Sequence, residues 1–254
     1  MPTFQSYAIC ATPRSGSTLL CDLLGESGVA GRPASYFRRQ SIAHWAQRLG
    51  VPSHETADGR EFNEAYVAAV KREGRAGTGL FGVRLMWETV EELSQRLDTL
   101  YPGLPNDAAR FSAAFGPMIY VHLSRQDKVA QAVSLQKAIQ TGLWHVAADG
   151  SDRERTMPPA APVFDAGRIA GQIAELTAHD DAWTGWFERH QIEPVLVNYE
   201  TLSADPPAVL AQLLAAFGHD PSLAAKIAPR TRKMADVQSL EWAARYRAEM
   251  NPSG

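Results

Sequence analysis

The chain has 254 residues, 45% apolar and 21% charged, with 25 basic side chains against 28 acidic ones. This is the composition of an ordinary folded protein, and it excludes a disordered, collagen-like or disulfide-stapled chain. A formal charge of −3 argues against a general nucleic-acid binder or a polybasic membrane binder, but says nothing about local clusters.

Only Cys10 and Cys21 are present, both in apolar contexts, and they read as reduced core thiols of a cytoplasmic protein. No apolar run approaches a membrane span of ~20 residues. The N-terminus MPTFQSYAICATPRSGST has no basic region followed by an apolar stretch, so no signal peptide is expected.

In chain order, strand-like and helix-like segments alternate, which predicts α/β layering. Phe4 to Ala11 reads as a buried strand. Thr18 to Ser27 is a helix with Leu19, Leu20, Leu23 and Leu24 on one face, ended by Gly28. Residues 38 to 78 read as two amphipathic helices joined by a polar loop. Gly79 to Met86 is a second strand, followed by a helix carrying Val90, Leu93, Leu97 and Leu100 and stopped by Pro102 and Pro105.

Pro117 to Ser124 is the third strand. Asp127 to Leu143 is a helix with Val129, Val133 and Ile139 inside. His145 to Pro162 has no period and reads as a long loop of the kind that forms lids. Asp165 to His190 is a long helix with Ile169, Ile173, Leu176, Trp183 and Phe187 as its apolar stripe. Pro194 to Tyr199 is a fourth strand, Asp205 caps the next helix, and a last helix runs near Leu240 to Met250. Nothing divides the chain, so one domain over residues 1 to 254 is the economical reading.

The strongest signal is AICATPRSGSTLLCDLL, residues 8 to 24. A buried strand runs into a turn of small residues and then a helix. Backbone N–H groups of such a turn converge on an anion, and the helix N-terminus adds a favourable dipole. The phosphate-loop pattern GxxxxGK[ST] is not met: Ala11 takes the first glycine position and Ser17 the lysine position.

No strand ends in an aspartate suited to magnesium, so an anion held without metal is expected, with Arg14 supplying the charge. A second anion site is expected from Arg125, at the end of the third strand, with Ser134 on the following helix. In a doubly wound sheet, strands one and three open on the same crevice. Two anion cradles there imply a nucleotide with phosphates at both ends.

These residues resemble the PAPS-dependent sulfotransferases, and more narrowly the bacterial Stf0-like, trehalose 2-sulfotransferase-like family. PAPS is 3′-phosphoadenosine 5′-phosphosulfate. The likeness covers nearly the whole chain. GVRLMW (82 to 87) is similar to the family's GGKLMW, and QAVSLQKAIQTGLW, AWTGWF and EWAARYRAE also look like family segments.

The resemblance implies a three-layer, P-loop-like α/β fold with a central, mostly parallel sheet flanked by helices. It implies PAPS as sulfuryl donor with no metal, and a small-molecule hydroxyl acceptor such as a carbohydrate, a glycolipid or another metabolite. It admits a homodimer. Pro13, Arg14, Ser15, Gly16, Ser17 and Thr18 would bind the 5′-phosphosulfate, and Arg125 with Ser134 the 3′-phosphate. Arg232 and Lys233 lie in a basic segment that would close over the nucleotide. Ser35, Tyr36, Phe37, Arg84 and Trp87 would face the acceptor. Arg84 can stabilise the sulfuryl group or form a peripheral salt bridge.

Two departures bear on chemistry. The family's GEPQEFF segment carries its proposed general base as the second glutamate. Here it reads Gly31-Arg32-Pro33-Ala34-Ser35-Tyr36-Phe37, with Ser35 at that position. The histidine that cytosolic sulfotransferases of eukaryotes place after the second strand corresponds to Met86, which cannot accept a proton. Glu88 is the leading candidate base, beside its structural role in a first helical turn. His44, His54 and His145 lie in segments that can line the acceptor pocket. The alternatives are a P-loop kinase of small molecules and a nucleotide-binding homologue without catalysis.

Overall fold

The computed structural model describes residues 4–52, 59–230 and 236–250. Four parallel strands form the central sheet in the order β2-β1-β3-β6: β1 Ser6–Ala11, β2 Phe81–Met86, β3 Met118–Ser124 and β6 Val195–Asn198. β1 is central, and every one of its residues is buried. A parallel strand covered on both faces must be apolar on both, which is why its sequence reads as a continuous run rather than an alternation.

The two faces of β1 seed two cores. Ala8 and Cys10 pack with α2 (Arg39–Arg48), α3 (Gly59–Arg75), α4 (Val90–Leu100), α5 (Asp107–Phe115) and the Trp183–Phe187 end of α7 (Ala166–Arg189). Tyr7, Ile9 and Ala11 pack with α1 (Ser17–Glu26), α8 (Tyr199–Ala204) and α9 (Pro206–Ala216). This period of two across one strand makes the molecule three-layered, as the resemblance implies. A third cluster joins α6 (Lys128–Thr141) to α7 and α10 (Val237–Met250) through Val133, Ile169, Leu176 and Trp242.

Several expectations are corrected. The segment after α6 is not an unstructured loop: Leu143–Val146 and Asp152–Arg155 pair as an antiparallel hairpin, β4 and β5. Its second strand is charged at every position, so no apolar alternation announced it. Helix α5 was not anticipated either. Its short run is capped by the Asn106 side chain, which accepts from the Ala109 amide at 2.9 Å, and it buries Phe111, Ala114 and Phe115. Ile139, expected inside α6, is 44% exposed, because that face of the helix borders a cavity rather than the core. The two helices expected between residues 38 and 78 are α2 and α3. Among the described residues, no helix is long and apolar enough to cross a membrane.

Candidate active site

The carboxyl end of β1 delivers the chain into the loop at 12 to 18. Trp183 Nε1 donates to the Ala11 carbonyl at 3.2 Å and fixes that end from below. Ser15 Oγ donates to the Thr12 carbonyl at 2.8 Å and closes the turn. Arg14 (φ +62°) and Gly16 (φ +88°) both adopt left-handed backbone. At Gly16 a side chain is excluded twice over, by that φ and by the Tyr199 ring, which a Cβ would approach to 2.7 Å.

Gln131 of α6 donates to Thr12 Oγ1 at 3.0 Å and to the Pro13 carbonyl at 2.7 Å. The loop is therefore built before any ligand arrives. Helices α5 to α9 carry side-chain caps from Asn106, Asp127, Asp165, Asn198 and Asp205. Helix α1 has none, and its N-cap is Gly16. Its first-turn N–H groups have no partner within the helix, so they present donors and the positive dipole end at the carboxyl edge of the sheet.

Two guanidiniums crowd this point. Arg14 Nε donates to Ser134 Oγ at 3.0 Å, and its Nη1 donates to the Trp144 carbonyl at 2.5 Å. Arg125 Nη1 donates to the Arg14 carbonyl at 3.3 Å, and the Arg125 guanidinium lies over the Tyr199 ring at 4.3 Å. Burial, then the neighbouring Arg125 charge, lowers the Arg14 pKa to about 10, and burial lowers that of Arg125. Arg125 Nε is buried and, among the described residues, has no partner. Two cations held together, one buried and one half-buried, are costly unless an anion offsets them. Ser134 bonds to Arg14 here, while both Ser134 and Arg125 line the same cavity. Residue 134 of α6 points at the loop, whereas Arg125 turns under it toward α8.

A third cation comes from the end of β2. Arg84 Nε donates to Ser35 Oγ at 2.8 Å, and its Nη1 donates to Thr18 Oγ1 at 2.8 Å, with Ser17 Oγ at 3.5 Å. Thr18 Oγ1 is also 3.0 Å from His145 Nε2, which stands 3.5 Å from the Glu154 carboxylate across the β4–β5 hairpin.

A cavity of about 560 Å³ opens over these groups. Pro13, Arg14, Gly16, Ser17 and Thr18 line it from the loop. Ser35, Arg84 and Glu88 line it from the β2 side, and Arg125 and Ser134 from the β3 side. Ser15 is buried within the turn.

Three residues expected at the acceptor are not in this cavity. Tyr36 and Phe37 are fully buried, with Tyr36 donating to the Arg32 carbonyl and Phe37 packed edge-on to Tyr66 and tilted against Phe115. Trp87 packs edge-on against Trp183 at 5.2 Å. Their aromatic bulk serves the core below the sheet edge. His44 is absent from the cavity wall, where His145 stands. Arg232, Lys233 and His54 lie outside the described residues.

The sequence reading missed Tyr199, Gln131 and Glu154. Tyr199 directly follows the fourth strand, where parallel sheets place ligand contacts, so position alone could have found it. Gln131 and Ser134 share one face of α6 at a three-residue spacing. Glu154 had no signal, being one charge in a charged strand.

The model of the Stf0 sulphotransferase family matches residues 6–249. The trehalose 2-sulfotransferase of Mycobacterium tuberculosis is 33% identical over 96% of this chain and 95% of its own. That of Mycolicibacterium smegmatis is 32% identical over 98% of this chain and 97% of its own. Among solved structures, the sulfotransferase domain of the Synechococcus PCC 7002 olefin synthase aligns with a TM-score of 0.44 at 14% identity, covering 97% of this chain and 96% of that one.

Proposed function

The chain belongs to the Stf0 sulphotransferase family and is a sulfotransferase, and from that premise we propose that it moves a sulfuryl group from PAPS to a hydroxyl of a carbohydrate, a glycolipid or another small metabolite. The observation that carries the donor is the placing of two guanidiniums, half-buried Arg14 and buried Arg125, around the uncapped N-terminus of α1. A doubly phosphorylated nucleotide offsets both charges at once. The acceptor class rests on the relatives, which are named for trehalose.

The chemistry follows from charge. The acceptor oxygen attacks sulfur in line, and the oxygen bridging sulfur to the 5′-phosphate gains charge as it leaves. Positioned donors that meet this developing charge supply most of such a rate enhancement. In our reading the N–H groups from Ser15 to Thr18 hold the 5′-phosphate, and Arg14 meets the bridging oxygen. Arg125 takes the 3′-phosphate, using the Nε that lacks a partner. Arg84, already on Thr18 and Ser17, holds the sulfuryl oxygens. Its bond to Ser35 favours this role over a peripheral salt bridge. The reaction is assigned to the cytoplasm, which suits two free buried thiols.

Calorimetry tests the donor. Adenosine 3′,5′-bisphosphate should bind without magnesium. Magnesium-dependent binding of ATP in its place would overturn the reading in favour of a kinase. Transfer of labelled sulfate from PAPS to trehalose, and to an extracted metabolite pool, then tests the acceptor class. Label in no hydroxyl product would overturn it.

A further inference from the structure

We propose that His145, on the β4–β5 hairpin, is the general base that takes the acceptor's hydroxyl proton, with Glu154 beside it as the positioning carboxylate. The inference rests on the donor reading above and goes beyond it by assigning the proton. The need is chemical, because Ser35, held by Arg84 Nε, cannot serve as a base. Glu88 lines the same cavity but is exposed, and among the described residues no hydrogen bond or ion pair ties it to the loop.

His145 is tied to it. Its Nε2 is 3.0 Å from Thr18 Oγ1, a hydroxyl at the first turn of α1. Thr18 Oγ1 accepts from Arg84, a group that only donates, and its own proton is free to go to Nε2 in the tautomer that leaves Nε2 unprotonated. In that tautomer Nε2 is the proton acceptor, and it lines the same cavity as Thr18 and Arg84. Once Nε2 gains a proton, Thr18 turns to accept, and the new N–H also faces Glu154 at 3.5 Å.

Charges from each neighbouring element bear on this imidazole. Arg14 comes from the loop, Arg84 from β2, and Arg153 and Glu154 from β5, with Arg153 itself bound by Asp22 of α1. Burial first, then Arg14, Arg84 and Arg153, lowers the His145 pKa to about 3. The imidazole is neutral at physiological pH, but a weak acceptor in the field of those cations. The anionic donor cancels their field. Its binding therefore raises the proton affinity of the base at the moment the acceptor needs it.

In the step itself, the acceptor oxygen bonds to sulfur as the sulfur–oxygen bond to the 5′-phosphate breaks. The bonding pair stays on the phosphate oxygen near Arg14, and the acceptor proton passes to Nε2.

NMR of the imidazole nitrogens tests this without knowledge of the acceptor. Saturation with adenosine 3′,5′-bisphosphate should move the His145 titration upward by about two pH units or more, toward the ordinary ~6.5. Glu154→Gln should lower the value in the complex. A titration unmoved by the bisphosphate overturns the proposal.

For any acceptor that the wild type sulfates from PAPS, kcat should fall as pH drops through the His145 value in the complex. His145→Asn should lose that acid limb and about 10²- to 10⁴-fold in kcat, with bisphosphate affinity within about tenfold of wild type. His145→Ala should be partly rescued by added imidazole. An intact acid limb in His145→Asn, or a loss confined to bisphosphate affinity, overturns the base assignment and leaves the donor reading standing. A wild type that does not bind the bisphosphate overturns both.

Discussion

Arg14 Nε donates to Ser134 Oγ at 3.0 Å, across 120 residues of sequence, and so ties the anion-binding loop to the helix after β3. With Arg125 donating to the Arg14 carbonyl, one arginine holds the backbone of the other. The two proposed anion cradles are one connected unit, and this gives their residues different expected phenotypes.

Arg14→Ala should weaken bisphosphate binding and also lower kcat by about 10²- to 10³-fold, because Arg14 meets charge that develops only in the transition state. Steady-state kinetics on PAPS, with calorimetry for binding, separates the two effects. Unchanged kcat would place Arg14 in binding alone.

Arg125→Ala should act mainly on binding. Loss of a charge-assisted contact to phosphate corresponds to roughly 10- to 100-fold in affinity. Ser134→Ala removes only one neutral partner of Arg14 and should cost about three- to tenfold. The order Arg125 above Ser134 in bisphosphate titrations checks a pairing in which Ser134 acts through Arg14.

Gly28 and Gly31 share a φ of +70°, yet their alanine variants should differ. Gly28 has open space around a Cβ, so Gly28→Ala should cost only the left-handed penalty of ~1–2 kcal/mol. A Cβ at Gly31 would lie 2.4 Å from the carbonyl oxygens of both Gly74 and Leu80. Those are backbone atoms, and Gly74 is further held by the Arg32 amide at 2.7 Å. Gly31→Ala should therefore lose at least ~1 kcal/mol more in urea unfolding.

Acid should loosen the attachment of α10. Burial opposes the charge on Asp236, but Lys137 and Ser239 hold its pKa down from 3.8 to about 2. A carboxylate lowered in the folded state contributes stability that is complete above the ordinary carboxylate range and disappears as pH falls through about 2. Acid unfolding followed by circular dichroism should begin at higher pH in Lys137→Met, which lacks the main partner.

Cys10 and Cys21 should ignore thiol reagents in the native protein. Burial pushes the Cys10 thiol well up and the Cys21 thiol to about 11, so neither forms thiolate at neutral pH. Both should react in guanidinium. Rapid labelling of either without denaturant would show local opening at β1 or α1.

The sequence by itself determined the parts that depend on local spacing. The unbroken apolar run of β1, the small-residue turn at 12 to 18 and the leucines of α1 specify strand, tight turn and helix, because each is a property of neighbours along the chain. The stripe from Ile169 to Phe187 is buried at Ile169, Leu176, Trp183 and Phe187 as its period requires, and half-buried at Ile173.

Tertiary structure alone decided where functional side chains point. Tyr36, Phe37 and Trp87 sit next to cavity residues in sequence, yet their rings face the core, since a large apolar surface is worth more buried than lining a wet cleft. The bond between Arg14 and Ser134, and the meeting of Thr18, Arg84, His145 and Glu154, join four distant segments. Those contacts are set by how the sheet edge, α6 and the hairpin pack together. Packing is a long-range relation that no local spacing encodes.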